Sequence, residues 1–204
     1  MPRALLAALA LLVAYVALGL AVTYLPLGVL DRSEAWFAGK GVPLAAFFTR
    51  AGGFMVYATL CALTLLFGTI RRGWFGRALV IVATLLAGWL SSDFFKGLFG
   101  RARPEQWFAI HETSFGYASG HATLSLVFYG LWAYVVWRAL PSSPLRTAIV
   151  TVLGLWIAAI GWSRLALGAH YPTDLLGGYL LGAALLVLAM RAVDRLTGRS
   201  PAAT

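Results

Sequence analysis

The chain has 204 residues, of which 61% are hydrophobic and only 11% charged, with a mean hydropathy of +0.83. Soluble domains carry about a quarter charged residues, so this composition excludes an ordinary soluble domain and indicates an integral membrane protein. The formal net charge is +9, but such a chain has no soluble basic face for nucleic acid, and anionic headgroups or phosphate substrates are the expected partners. A single cysteine, Cys61, excludes a disulfide framework.

The apolar runs are long enough to cross a bilayer as helices, since one crossing needs about 20 mainly apolar residues. Residues 4–30 carry no charge and no clear signal-peptide cleavage site, which predicts an uncleaved first span. Residues 31–50 mix charged and aromatic side chains, which favours a short helix lying at the membrane interface, with a plain loop as the alternative. Five further spans are predicted at 51–70, from 78 to between 96 and 99, and at 120–137, 147–162 and 172–190.

The sequence therefore predicts an all-α, polytopic membrane protein with six transmembrane helices in one bundle and a single domain over residues 1–204. Six spans put both termini on one side, together with nine arginines, against seven cations on the other side. Four of those seven fall in the two loops that hold the motifs below, so they report poorly on topology. The positive-inside rule then predicts cytoplasmic termini in the inner (cytoplasmic) membrane, with both loops facing the periplasm or exterior.

Three short ionisable motifs lie at the ends of these spans, where charged groups beside hydrocarbon are functional candidates by default. They are Lys96 with Arg103-Pro104, then Ser119-Gly120-His121, and finally Arg164, His170 and Asp174. Arginine forks match phosphate oxygens, lysine adds a point charge, and Ser119 adds a hydroxyl donor. The N–H of Gly120 opens a predicted helix at its positive end. The pattern predicts a site for a phosphate dianion.

In this order and on one membrane face, the three motifs resemble the signatures of the type 2 phosphatidic acid phosphatase superfamily, which includes vanadium haloperoxidases and glucose-6-phosphatase. The resemblance covers 96–174, with one departure, because the second motif usually begins with proline and here begins with Ala118. It implies a metal-free, cofactor-free phosphoryl transfer. His170 would attack phosphorus and Asp174 would orient it, while His121 would protonate the leaving oxygen and later activate water. The phosphate would be held by Lys96, Arg103, Ser119, Gly120 and Arg164.

We therefore expect a membrane lipid phosphatase that hydrolyses a phosphate monoester or pyrophosphate through a phosphohistidine. The leading substrate is undecaprenyl pyrophosphate, with phosphatidylglycerol phosphate, phosphatidic acid and lipid A phosphates as the other candidates. One alternative is a lipid phosphotransferase, in which a second lipid such as lipid A takes the phosphate. A non-enzymatic alternative is an inactive lipid-binding or lipid-transport protein. Beyond substrate and membrane lipids, neither nucleic acid nor an obligatory protein partner is expected.

Other residues have simpler expected roles. Arg101 and Glu112 lie in the polar stretch from 101 to 120 and are expected to be solvated loop charges. Glycines 177, 178 and 182 form a cluster in the sixth predicted span, which favours close packing of two helices over a chemical role.

Overall fold

The computed structural model describes residues 2–26, 28–105, 108 and 112–198, and within those ranges all regular structure is helical. The prediction of an all-α fold is thereby confirmed. The helices are α1 (Pro2–Tyr24), α2 (Val29–Arg32), a 3₁₀ turn (Ser33–Trp36), α3 (Val42–Ala51), α4 (Phe54–Ile70), α5 (Phe75–Phe99), α6 (Gly120–Ala139), α7 (Pro144–Ala166) and α8 (Pro172–Leu196).

Four helices in the described ranges, α1, α5, α7 and α8, are long and apolar enough to cross a membrane, and the pair α3 and α4, bent by 42°, could form a fifth span. Large apolar side chains such as Leu5, Leu86 and Leu155 are exposed on the outside of the bundle, as expected where lipid replaces water. The chain is a multi-pass membrane protein. The count of six spans and the membrane position of residues 31–50 stay predictions.

Two predicted boundaries change in the structure. The first span is helical only to Tyr24, because Pro26 cannot continue a helix. Residues 31–50 form the end of α2, the 3₁₀ turn and most of α3, where a single short helix or a plain loop was expected. Gly52 and Gly53 then separate α3 from α4.

The centre of the bundle is the crossing of α6 with α8, and α1, α5 and α7 pack around that pair. Small residues allow this crossing. A Cβ added at Gly178 would lie 2.5 Å from the Ser119 carbonyl oxygen, and one added at Gly182 would lie 3.0 Å from the Thr123 carbonyl oxygen. The predicted packing role of these glycines is confirmed.

The up-and-down path of the helices brings distant segments to the same end of the bundle. Helices α5 and α7 finish where α6 and α8 begin, and the backbone N–H of Ser119 donates to the Asp174 carbonyl oxygen at 3.0 Å. We call this the site end. At the opposite end, which we call the far end, Arg138 of α6 pairs with Asp194 of α8 at 3.3 Å. All three sequence motifs therefore lie at the site end.

Candidate active site

His170 and Asp174 lie at the start of α8. Pro172 occupies the first turn, as predicted, and the Tyr171 backbone N–H donates to Asp174 Oδ2 at 2.9 Å. This bond caps the helix and turns the carboxylate back towards the preceding loop. His170 Nδ1 lies 3.4 Å from the same oxygen, slightly beyond the usual hydrogen-bond range. Both side chains are almost completely buried, so the pair is shielded from water.

The contacts of His170 define its tautomer. Its Nε2 lies 3.1 Å from Nη1 of Arg103, and a guanidinium can only donate hydrogen bonds. Nε2 is therefore the acceptor, and in the neutral ring the proton resides on Nδ1, facing Asp174. Burial holds the pKa of His170 well below its ordinary value, and the positive charges of Arg103, Arg164 and Lys96 act in the same direction. The result is a neutral imidazole whose Nε2 lone pair points at a cation.

The cations of the first and third motifs surround this face. Arg103 donates to the Ala169 carbonyl oxygen at 2.9 Å and to the Ser114 carbonyl oxygen at 2.7 Å. Lys96 Nζ lies 3.3 Å from Ser114 Oγ, next to Arg103. Arg164 comes from the last turn of α7 and is buried. The three cations thus meet from three separate segments.

Glu112 lies among these cations. It accepts from Arg103 Nη2 at 2.8 Å and also pairs with Arg164 Nη2. Burial alone would raise the pKa of Glu112, but Arg164 and Arg103 outweigh burial and lower it to about 2. The expectation of a solvated loop charge is wrong here, because the positive potential of three clustered cations attracts the nearest carboxylate. One anion therefore already bridges the arginines of two motifs.

The second motif opens α6. Ser119 is the N-cap residue, and its Oγ is buried without a hydrogen-bond partner in the described part of the chain. The peptide bond between Tyr117 and Ala118, where the motif departs from the usual proline, is cis. His121 Nε2 lies 3.2 Å from the Thr49 carbonyl oxygen and 3.4 Å from Thr49 Oγ1. The hydroxyl of Ser119 is thus available to a bound oxyanion.

Thr49 is a contact that the sequence did not reveal. Its hydroxyl also accepts from Arg164 Nη1, so α3 links the second and third motifs. Gly52, just after α3, allows this approach, because a Cβ there would lie 2.8 Å from His121 Cδ2. No motif marks Thr49, which lies in the stretch predicted to be interfacial.

Arg101 is the second correction. It is only 5% exposed, and it pairs with Asp31 Oδ2 at 2.7 Å and with Asp174 Oδ1. Its guanidinium also lies 4.7 Å from the centre of the Tyr171 ring. A solvated loop charge was expected, but a carboxylate buried as deeply as Asp174 needs a countercharge. Arg101 supplies that charge.

The eight predicted site residues therefore gather at the site end. Arg103, His170 and Asp174 form a direct chain of contacts. Arg164 joins them through its contact with Glu112, and Lys96 joins through its contact with Ser114. His121 joins through its contact with Thr49. Ser119 joins through its backbone bond to the Asp174 carbonyl oxygen, and Gly120 lines a cavity together with Lys96 and His121. No group of three or more His, Cys, Asp or Glu side chains with metal-binding geometry occurs in the described ranges.

A cavity of about 410 Å³ extends from this cluster along α4 and α5, and it is open to the outside of the bundle because Leu86 and Trp89 in its wall are exposed. Lys96, Glu112 and His121 line its polar end. Its body is lined by apolar and aromatic side chains of α4 and α5, including Tyr57, Cys61, Leu85, Leu86 and Trp89. The shape suits an amphiphile with an anionic head and an apolar chain.

This chain is similar to known proteins in fold and in sequence. A crystal structure of a transmembrane PAP2-type phosphatidylglycerolphosphate phosphatase from Bacillus subtilis superposes with a TM-score of 0.79, covering 92% of this chain and 96% of that one at 22% identity. Phosphatidylglycerophosphatase B of Bacillus subtilis (strain 168) is 32% identical over 119 residues, which are 58% of each chain.

A lipid A 1-phosphatase of Rhizobium johnstonii is 28% identical over 120 residues, covering 54% of this chain and 44% of the relative. The matches thus span about half the length of these relatives. The family model of the PAP2 superfamily matches residues 76–197, more than half of the chain and all three motifs. The chain therefore belongs to the PAP2 superfamily.

Proposed function

We propose that this protein is a membrane lipid phosphatase that hydrolyses a lipid phosphate monoester or diphosphate through a phosphohistidine on His170. One observation carries the proposal: the Nε2 lone pair of a buried, neutral His170 points at Arg103, which together with Arg164 already holds the Glu112 carboxylate. A phosphoryl group is a larger anion of the same kind, and Arg forks match its oxygens. The names of the relatives, phosphatidylglycerophosphatase B and lipid A 1-phosphatase, support a lipid phosphate as the substrate.

Binding begins with an exchange of anions. The substrate phosphate replaces the Glu112 carboxylate between Arg103 and Arg164, while Lys96 and the Ser119 hydroxyl take further oxygens. The lipid chain occupies the apolar cavity beside Leu85 and Trp89. Charge that spreads over the equatorial oxygens during transfer is then met by donors that are already in place.

The transfer has two halves. His170 Nε2 forms a bond to phosphorus as the bond to the lipid oxygen breaks, and His121 gives a proton to that oxygen. Asp174 stabilises the positive ring through the Nδ1 proton, as the carboxylate of a Ser-His-Asp triad does. Water then attacks phosphorus, His121 removes its proton, and the bond to Nε2 breaks, which releases orthophosphate and the free imidazole.

Several finer points belong to the same proposal. We assign the protein to the inner membrane, with six spans, cytoplasmic termini and the site end facing the exterior. Undecaprenyl pyrophosphate is the first substrate to test, followed by phosphatidylglycerol phosphate, phosphatidic acid and lipid A phosphates. The reaction needs no metal, because three cations and two histidines supply the charge and the protons.

The decisive experiment measures phosphate release from this lipid panel in detergent and traps the phosphoprotein by rapid quenching into alkali. Wild-type protein should release orthophosphate and give an acid-labile phosphoprotein, and His170→Ala should give neither. With p-nitrophenyl phosphate, whose leaving group needs no protonation, His121→Ala should still form the phosphoprotein but hydrolyse it slowly. Turnover without any phosphoprotein would contradict the mechanism, and labelled phosphate on an acceptor lipid would favour a phosphotransferase.

Metal dependence gives an independent check. Orthovanadate resembles the five-coordinate phosphoryl group in transfer and should inhibit, whereas EDTA should leave turnover unchanged. A loss of all activity in EDTA that Mg²⁺ restores would contradict the metal-free reaction.

A further inference from the structure

Asp31 is a buried carboxylate that lies outside the residues matched by the family model. It sits in α2, just after the first span, and its side chain is 3% exposed. Oδ1 accepts from the backbone N–H of Thr173 at 3.1 Å and from Thr173 Oγ1 at 2.7 Å. Oδ2 accepts from Arg101 Nη2 at 2.7 Å. Both oxygens thus bind residues that flank or contact Asp174.

Arg101 connects this carboxylate to the proposed nucleophile. While Nη2 binds Asp31, Nη1 donates to Thr173 Oγ1 at 2.8 Å and to Asp174 Oδ1. The other oxygen of Asp174 accepts from the Tyr171 N–H and faces His170 Nδ1. A continuous chain of contacts therefore runs from Asp31 through Arg101 and Asp174 to His170. Each carboxylate oxygen of Asp174 has a defined partner, which sets the direction of the carboxylate.

The charges in this chain matter as well as its geometry. One guanidinium lies between two buried carboxylates, so its positive charge is shared between Asp31 and Asp174. Without the charge of Asp31, Arg101 would pair with Asp174 alone and would offset more of its negative charge. Asp174 would then stabilise the imidazolium of His170 less as the bond to phosphorus forms.

We infer that Asp31 is a positioning residue for the phosphoryl transfer, which acts on His170 through Arg101 and Asp174. The inference rests on the proposed role of His170 as the nucleophile. It gives α2 a part in the reaction, although α2 lies outside the three motifs.

The test compares two aspartates that are both buried and both paired with arginine. Asp31→Asn keeps the size of the side chain and removes its charge. Asp194→Asn is the matched control, because Asp194 pairs with Arg138 and Tyr134 at the far end. In full-length protein in detergent, Asp31→Asn should lower kcat and the rate of phosphoprotein formation about 10- to 100-fold, as small misplacements of catalytic groups do. KM should stay within about twofold, the pattern of an interaction made only in the transition state.

Two more variants separate positioning from folding. Asp31→Glu retains the charge and should recover more of kcat than Asp31→Asn does. Arg101→Met leaves two buried carboxylates without their shared cation, so adding Asp31→Asn to it should not lower kcat further. Thermal unfolding of every variant, followed beside Asp194→Asn, reports stability separately from rate.

The outcomes discriminate between the two proposals. If wild-type protein forms the phosphoprotein and Asp31→Asn forms it at the same rate, Asp31 has no positioning role, and the proposed function stands. Losses that multiply in the double variant, or an Asp31→Glu protein no better than Asp31→Asn, would also overturn the inference. If wild-type protein forms no phosphoprotein while releasing phosphate, the proposed function fails, and the inference fails with it.

Discussion

Helix α8 carries a buried aspartate near each of its ends, and the two differ in their partners. At the far end, Asp194 accepts from Tyr134 at 2.6 Å and pairs with Arg138 at 3.3 Å, two residues one turn apart on α6. At the site end, Asp174 contacts Arg101 from the polar stretch after α5, together with the backbone of Tyr171 and the ring of His170.

This difference separates a structural ion pair from the proposed catalytic one. The partners of Asp194 fasten two neighbouring helices and already neutralise its charge. Asp174 shares the charge of Arg101 with Asp31 and also faces the ionisable ring of His170. Burial and pairing with arginine are common to both ends, so neither property identifies a functional carboxylate. The property that distinguishes Asp174 is its additional contact with His170, the proposed nucleophile.

The largest effect should come from Asp174→Asn. Loss of the carboxylate charge removes the stabilisation of the positive form of His170, so kcat should fall by up to about 10⁴, as in hydrolytic triads. Steady-state phosphate release in detergent measures this loss. Asp194→Asn, the same change at the other end of α8, should leave kcat within about twofold. Asp194 is remote from the reacting atoms and shares no partner with them, so its loss acts independently of the site. Equal losses in the two variants would remove the distinction between the two ends.

Replacement of arginine by lysine should be the next most harmful change. Arg164 uses separate nitrogens for Thr49 and Glu112, and lysine cannot reproduce that planar fork. Loss of one well-placed donor to the transferring group should lower kcat about 10²- to 10³-fold. Arg138→Lys is the control at the far end, and its kcat should stay near wild type. A fully active Arg164→Lys protein would show that charge alone suffices.

Glu112→Gln should strengthen substrate binding. Under the proposed mechanism, the phosphate competes with the Glu112 carboxylate, which reduces the apparent affinity in proportion to the fraction of sites that the carboxylate leaves free. We expect KM, and the inhibition constant for vanadate, to fall by up to about tenfold. Glu105→Gln alters an exposed carboxylate of the same loop and should change neither. A higher KM in Glu112→Gln would mean that Glu112 helps to bind the substrate.

The same residue predicts a dependence of stability on pH. The pKa of Glu112 is about 2 in the folded protein, below the value of about 4.3 for a free glutamate. Its ion pairs should therefore stabilise the fold fully above about pH 4.3 and lose that contribution as the pH falls through about 2. Thermal unfolding between pH 3 and 6, wild type against Glu112→Gln, should show a difference that shrinks towards acid. A difference that is independent of pH would contradict this account.

The smallest effect should come from a change at the crossing of α6 with α8. Gly182→Ala should lower the free energy of unfolding by about 1 to 3 kcal/mol, because the added methyl meets the Thr123 carbonyl oxygen. Gly154→Ala, in α7, meets nothing within 4 Å and should be neutral or stabilising by up to about 1 kcal/mol. Thermal unfolding in detergent compares the two. An unchanged Gly182→Ala protein would show that the crossing has room to relax.

Much of this molecule follows from patterns along the chain. The apolar runs predicted the helices. Because successive helices run in opposite directions, they also predicted that His121 and His170 lie at the same end of the bundle. Motif spacing selected the cations that surround His170. Helix boundaries were less accurate, since Pro26 ends α1 within a run that composition alone would continue.

The contacts of Arg101, Glu112 and Thr49 could not be read in the same way. The local sequence around a charged loop residue is the same whether its charge is surrounded by water or paired with another side chain. Only the three-dimensional fold determines which of the two it contacts. One signal existed for Arg101: a carboxylate expected to lie as deep as Asp174 requires a countercharge. Thr49 offered no comparable signal, because its importance comes entirely from the position of α3 beside α7.

The tie between Asp31 and the start of α8 has a consequence for biosynthesis. During translation the segment with Asp31 leaves the ribosome first, Arg101 follows about seventy residues later, and Thr173 and Asp174 come last. Until α8 is inserted, the nascent chain lacks both proposed catalytic members of the third motif, and Asp31 lacks most of its hydrogen-bond donors. Under the proposed mechanism, catalytic competence should thus appear only once α8 is in place.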